Sequence, residues 1–142
     1  MHTQTRSPDA VQLTDTQRDF LDEVMPATIG TIRANGTVQL NPIWYERRED
    51  ELWLNATRSR RWGSRLEPGT PVTLLMVDPA NMWRWMQVQG RVVEKTEAGA
   101  ADHIDRLSHR YLGSDYRNHQ ADDPRLIVRV VPTRITGTID AA

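Results

Sequence analysis

The sequence contains no cysteine, so disulfide bonds, thiolate metal sites and a thiol nucleophile are all excluded. It also has no basic excess, because 18 lysines and arginines stand against 19 acidic residues and leave a formal net charge of -1. A nucleic-acid-binding domain normally carries a basic excess, so we expect no nucleic acid as a partner. No stretch approaches the roughly 20 apolar residues of a membrane helix, and the start resembles no signal peptide. We therefore expect a cytoplasmic protein with no membrane partner.

Phenylalanine is almost missing as well, with one residue against five tryptophans. Tryptophan rings fill cores and interfaces, but they also form flat walls for planar ligands. A chain of 142 residues is long enough for one domain with a core, but not for two. Because the first residues are polar and lack periodicity, we predict a mobile arm over residues 1–13 and a single domain over residues 14–142.

Segments in which apolar residues recur with the period of a helix alternate along the chain with segments that have the period of a strand. Thr14 and Gln17 have the spacing of a capping box at a helix start, and Pro26 ends that helix. Asn35-Gly36 favours a type I′ hairpin turn. Alternating or continuous apolar residues predict strands at 27–33, 37–45, 52–57, 72–77, 83–94, 125–131 and 135–139, and helical spacing predicts a helix at 98–112. Six or seven strands joined mainly by tight turns favour an antiparallel barrel over a parallel sheet.

No arrangement of side chains in the sequence predicts a catalytic or metal-binding site. His103 and His109 are six residues apart on a predicted helix and so lie on different faces, while His119 lies in a polar loop. This spacing does not suit a metal, and we expect none. No Ser-His-Asp or paired-carboxylate arrangement is evident either, so the catalytic residues stay unknown at this stage.

Four arginines follow the third predicted strand within eight positions: Arg58, Arg60, Arg61 and Arg65. The guanidinium group matches the geometry of a phosphate, and a strand-to-helix turn offers free amide donors. The cluster therefore predicts an anion site. The alternative is a solvated turn with surface charge.

The order of motifs resembles a known family. A capped helix, ATIGTIRANGTVQLNPIWY, TRSRR, VTLLMVDPANMWRWMQVQGRV and DHIDRLSHRYLG follow one another over residues 14–137. This order is similar to the split β-barrel flavin and deazaflavin oxidoreductases related to pyridoxamine 5′-phosphate oxidase, and more narrowly to their branch that uses coenzyme F-420. The resemblance implies a mainly β fold with few helices: a six- to seven-stranded antiparallel split β-barrel of the FMN-binding type. It also implies a homodimer with the cofactor at its interface.

The resemblance further implies an oxidoreductase that transfers a hydride between coenzyme F-420, or FMN as the alternative, and a small conjugated organic substrate. By the same resemblance, Asn41, Pro42, Ile43 and Trp44 lie beside the cofactor ring. Asn55, Thr57, Arg58, Ser59 and Arg60 meet its ribityl chain and phosphate. Trp62 stands where the family commonly has a phosphate-binding lysine, with Arg61 and Arg65 as possible replacements. This departure leaves open a second hypothesis, a non-catalytic binding protein for flavin, deazaflavin, haem or another planar ligand.

Overall fold

A computed structural model describes residues 9–139 of the chain. These residues form three helices and seven strands, which confirms the mainly β class. The elements are α1 (Asp15–Asp22), β1 (Ala27–Ile32), β2 (Val38–Ile43), β3 (Tyr45–Arg48), β4 (Glu51–Thr57), α2 (Arg61–Ser64), β5 (Pro71–Asp78), β6 (Asn81–Thr96), α3 (Ala100–Leu112) and β7 (Arg125–Gly137). Among these residues, no helix is long and apolar enough to cross a membrane.

The seven strands form one sheet in the order β2-β1-β5-β6-β7-β4-β3, and every neighbouring pair is antiparallel. The two edge strands, β2 and β3, are consecutive in the chain with Trp44 alone between them. Since adjacent Cα atoms are only about 3.8 Å apart, the sheet has to curl until its two edges meet at Trp44. We call this meeting point the seam. The curled sheet confirms the predicted antiparallel split barrel.

The interior of the curled sheet holds the core, and alternation along the strands decides which side chains enter it. Met86, Val88 and Val92 of β6 are buried, as the alternation of this strand predicts, while Trp83 is exposed. Phe20 and Leu21 of α1 close one end of the barrel. The predicted capping box holds this helix start, because Thr14 and Gln17 exchange side-chain and amide hydrogen bonds.

The first hairpin is present, but the prediction of its turn type was wrong. The Gly36 amide donates to the Arg33 carbonyl at 2.9 Å and Gly36 has a φ of 86°, whereas Asn35 does not have a positive φ. A type I′ turn needs positive φ at both central residues, so the loop is instead a β-turn followed by a left-handed glycine. Asn35 uses its side chain rather than its backbone, since its Oδ1 accepts from the Thr37 amide at 3.0 Å.

The predicted N-terminal arm falls mostly on residues 1–8, which lie outside the described residues, and there it stays a prediction. The last residues before α1 contact the barrel. The Val11 amide donates to the Pro132 carbonyl at 3.0 Å, and Leu13 is buried in the core. The packed part of the chain therefore begins before Thr14.

Candidate functional site

A cavity of about 310 Å³ opens at the seam, and we call it the seam cavity. Its volume is at the lower end of the range of small-molecule sites, roughly 300–1,000 Å³. Six of the residues predicted to bind a cofactor line it: Pro42, Ile43, Trp44, Asn55, Arg60 and Trp62. Its other lining residues are Pro26, Ile104, Leu107, Tyr116 and Arg125. The structure thus brings residues from both predicted segments to one place.

Trp44 is held in a fixed orientation at the seam. Its ring stacks on Tyr111 of α3, with ring centroids 5.2 Å apart and planes inclined by 7°, and it meets the edge of Tyr116 at 6.4 Å. The Tyr111 hydroxyl donates to the Met25 carbonyl at 2.7 Å, which anchors the stack to the chain before β1. Burial is the main cause that raises the pKa of Tyr111, so its hydroxyl remains protonated. Such a fixed aromatic ring can serve as the wall of a site for a planar ligand.

Asn55 of β4 lines the same cavity and carries an unpaired oxygen. Its Nδ2 donates to the Ala100 carbonyl at 3.0 Å and lies 3.0 Å from Nδ1 of His103. Because a backbone carbonyl can only accept, the amide nitrogen must face Ala100, and His103 Nδ1 must then be the second acceptor. Asn55 is only 7% exposed, and its Oδ1 has no hydrogen-bond partner among the described residues. An unpaired buried acceptor costs about 1–3 kcal/mol, so the site favours a ligand with an N–H or O–H donor.

Behind Asn55, a buried chain of polar groups fixes this orientation. His103 is fully buried, and its Nε2 lies 3.2 Å from Oε1 of Glu46, which Arg106 contacts at 2.7 Å. Burial favours a higher pKa for the Glu46 carboxyl, but contacts with His103 and with the guanidinium group of Arg106 outweigh burial and hold that pKa well below its usual range. Glu46 is therefore ionised and lies beside Nε2 of His103, while Nδ1 of His103 faces the Asn55 amide. No local pattern predicts this network, because its members come from three separate elements.

A second, polar cavity of about 360 Å³ adjoins the first. Its lining residues are Thr57, Ser59, Arg60, Tyr116, Asn118, Gln120, Asp123 and Arg125. Arg60, Tyr116 and Arg125 line both cavities. The Arg60 side chain has no carboxylate partner among the described residues, while Arg125 donates to the Tyr116 hydroxyl at 2.6 Å. The two cavities together form an elongated site with an aromatic end and a cationic, polar end.

Three predicted residues line neither cavity. Arg58 is exposed and lies 3.9 Å from the Glu97 carboxylate, and Arg61 is exposed on α2. Asn41 is half-buried on β2, where its Oδ1 has no hydrogen-bond partner among the described residues. Arg65 also lies outside both cavities and donates to the Gln39 Oε1 at 2.5 Å, so it does not replace the missing lysine. Arg125 is one of the contributors that the sequence analysis missed, and it lies 60 or more residues from the arginine cluster in sequence.

Trp62 belongs to the core as much as to the site. It is only 5% exposed and packs in the hydrophobic core while lining the seam cavity. The next residue, Gly63, lies so close to β4 that an added Cβ would be 2.8 Å from the Ala56 Cβ. This close approach directs Trp62 inwards. Its place is therefore an inner wall of the cavity and not a solvent-facing position like that of a phosphate-binding lysine.

No group of three or more metal-binding side chains occurs within residues 9–139. The histidines there have other partners. His109 and His119 contact Asp115 and Asp105 at 2.6 and 2.9 Å, and His103 belongs to the network behind Asn55.

Comparison with known proteins agrees with this fold. A family profile described as pyridoxamine 5′-phosphate oxidase matches residues 13–138, nearly the whole chain. The chain belongs to the pyridoxamine 5′-phosphate oxidase family. A search of proteins with curated functions found no significant match.

Solved structures of other proteins share the fold of this family member. An F-420 reductase is 24% identical over 84% of this chain and 94% of its own, with a TM-score of 0.75. A putative pyridoxamine 5′-phosphate oxidase from Lactobacillus delbrueckii is 14% identical over 89% of this chain and 94% of its own, with a TM-score of 0.61. An FAD and heme binding protein from Mycobacterium smegmatis is 17% identical over 94% of this chain and 77% of its own, with a TM-score of 0.59. At these identities the likeness is one of fold.

Proposed function

We propose that this chain is a cofactor-dependent oxidoreductase that transfers a hydride between a deazaflavin and a small conjugated organic substrate. Coenzyme F-420 is the preferred cofactor and FMN is the alternative. The observation that carries the proposal is the pair of joined cavities: a planar ring fits the aromatic seam cavity, and its phosphate fits the polar cavity beside Arg60 and Arg125. Membership of the family and the fold shared with an F-420 reductase support the same assignment.

The types of side chain in the site suit such a cofactor. The bound cofactor supplies the hydride chemistry, which agrees with the lack of a recognisable acid, base or nucleophile in the sequence. The chain would bind and orient it: Trp44 beside the ring, the Asn55 Oδ1 as an acceptor for a ring N–H or O–H, and Arg60 on the anionic group. Burial of the Asn55 amide would then cost nothing in the complex, because the ligand supplies the missing donor.

Titration with each cofactor tests this proposal. We expect saturable quenching of tryptophan fluorescence, because Trp44 and Trp62 line the cavity that would hold the ring. Asn55→Leu, which removes the oxygen acceptor, should weaken binding by roughly tenfold or more. Far-UV circular dichroism checks that the variant still folds. Absence of quenching by either cofactor at millimolar concentration would contradict the proposal.

The second candidate is a binding protein without catalysis. Two observations favour it: no lysine among the described residues lines the polar cavity, and Trp62, at the family's lysine position, is buried. The absorption spectrum of the protein purified from a host that makes both cofactors separates the candidates, when it is followed by an assay for hydride transfer. A bound chromophore that never turns over would favour the binding protein. A haem would need an axial histidine, and His103 is fully buried with Asn55 and Glu46 beside its two ring nitrogens.

We also propose that the chain forms a homodimer through an apolar face next to the seam. Four exposed apolar side chains lie on the adjacent strands β2, β1 and β5: Ile32, Val38, Leu40 and Leu75. The register places Val38 beside Ile32, and Leu40 beside Gly30. Contiguous exposed apolar surface marks an interface. Pro42 continues this face on β2 and also lines the seam cavity, so a partner on the face would lie next to the site.

Sedimentation of two matched variants tests the dimer. Leu40→Glu places a charge in the proposed interface and should raise the dimer dissociation constant by roughly tenfold or more. Leu112→Glu makes the same change at the end of α3, where Leu112 is 67% exposed against 66% for Leu40, and should leave the dimer intact. A wild-type chain that sediments as a monomer at micromolar concentration would contradict the proposal, and so would an equal effect of the two variants.

A further inference from the structure

The carboxylate of Asp123 is hydrogen-bonded to groups that are proposed to bind the cofactor phosphate. The Ser59 hydroxyl donates to Oδ2 of Asp123 at 2.5 Å, and the Ser59 amide lies 3.4 Å from Oδ1 of the same carboxylate. The Thr57 hydroxyl lies 3.3 Å from the Ser59 hydroxyl. Hydrogen bonds from Ser59 are the main cause that lowers the pKa of Asp123, so this carboxylate is ionised. An anion is thus already present in the polar cavity, and it belongs to the chain itself.

A carboxylate and a phosphate make the same kind of contacts. Both present ionised oxygens that accept from hydroxyl and amide donors, and both favour nearby guanidinium groups. One hydroxyl hydrogen of Ser59 cannot serve two acceptors fully, so Asp123 and a ligand phosphate would compete for it. Arg60, by contrast, lines the same cavity and has no carboxylate partner among the described residues.

Asp123 lies on a segment outside the sheet. Residues 113–124, between α3 and β7, contain no helix or strand. The segment is tied elsewhere by Asp105, which accepts from the Tyr116 amide at 3.0 Å and contacts His119 at 2.9 Å. Release of Ser59 would therefore free one attachment of this segment and leave those to Asp105 in place.

We propose that Asp123 is an internal competitor that occupies the phosphate subsite, so that a phosphate-bearing ligand binds only by displacing its carboxylate from Ser59. This inference rests on the proposed function. When a binding-competent state is only partly populated, the apparent affinity falls by the competent fraction. Removing the competitor should accordingly strengthen binding of ligands that carry the phosphate, and only of those.

Variants at two neighbouring positions separate competition for Ser59 from a general effect of removing one negative charge. Asp123→Asn removes the competing charge with little change of shape. Asp122→Asn removes the same charge one residue away, where Asp122 is exposed and has no hydrogen bond or ion pair with the described residues. We expect Asp123→Asn to bind FMN and inorganic phosphate about three- to tenfold more tightly than wild type, and Asp122→Asn to stay within about twofold. Riboflavin, which lacks the phosphate, should bind wild type and Asp123→Asn equally.

Calorimetry gives the dissociation constants, and the amide signal of Ser59 in NMR spectra reports phosphate at this subsite. Equal effects of the two variants would overturn the inference, as would weaker FMN binding by Asp123→Asn or a matching gain for riboflavin. If wild type binds FMN and neither variant changes its affinity, the inference fails while the proposed function stands. If no form of the chain binds phosphate or either cofactor, both fail together.

Discussion

Replacing Trp62 by lysine is expected to destabilise the fold by about 3–5 kcal/mol rather than to create a phosphate site. The side chain is only 5% exposed and is part of the hydrophobic core, so the substitution removes a large apolar group and places an ammonium group in largely apolar surroundings. A loss of this size is a large part of the roughly 5–15 kcal/mol that stabilises a typical domain. Urea unfolding followed by far-UV circular dichroism measures the change.

A surface substitution that introduces the same charge serves as the control. Leu112→Lys adds a lysine at a position that is 67% exposed and should change the free energy of unfolding by no more than about 0.5 kcal/mol. A Trp62→Lys protein that is as stable as wild type and binds FMN more tightly would contradict this expectation. Such a result would instead favour the non-catalytic candidate, in which the tryptophan has displaced a phosphate-binding lysine.

Trp44 shows how far local patterns reach. The strand period predicts one continuous strand over residues 37–45, whereas the structure ends β2 at Ile43 and begins β3 at Tyr45, so that Trp44 lies between the two edges of the sheet. The hairpin of β1 and β2, by contrast, is a local feature, since the apolar alternation and Gly36 specify it within a few residues. Strand pairing at short separation follows from the sequence because a tight turn leaves few alternatives.

The groups that give the site its polarity depend on long-range contacts instead. Asn55 and His103 are 48 residues apart, and Ser59 and Asp123 are 64 residues apart. Periodicity relates only residues within a few positions of each other, so it cannot predict that such distant pairs are in contact. The inward direction of Trp62 has a similar origin, because it depends on the close packing of Gly63 against β4. The resemblance to the family gives the place of residue 62 in the fold. It does not give the direction of the Trp62 side chain, because the family commonly has lysine there.

Replacing Glu46 by glutamine is expected to cost about 2 kcal/mol of stability and to weaken cofactor binding at the same time. The ionised carboxylate is the partner of His103, which is fully buried, and His103 in turn fixes the amide of Asn55. A glutamine can present either its oxygen or its NH₂ group to His103, so the orientation of the Asn55 amide is no longer specified. Glu97→Gln is the matched control, because Glu97 is 57% exposed and makes only a 3.9 Å contact with Arg58. Unchanged stability and affinity in Glu46→Gln would show that the network does not position the amide.

The pH dependence of unfolding gives a second measure of the same carboxylate. In the folded chain the pKa of Glu46 lies well below its ordinary value of 4.5, so below that value the unfolded state binds more protons and stability rises with pH. The contribution of Glu46 is therefore complete above its ordinary pKa and is lost as the pH falls towards the folded-state pKa. Glu46→Gln should show a smaller slope of unfolding free energy against pH below pH 4.5, while Glu97→Gln keeps the wild-type slope. Equal slopes in wild type and Glu46→Gln would mean that the carboxylate gains no more from His103 and Arg106 in the folded chain than from water in the unfolded one.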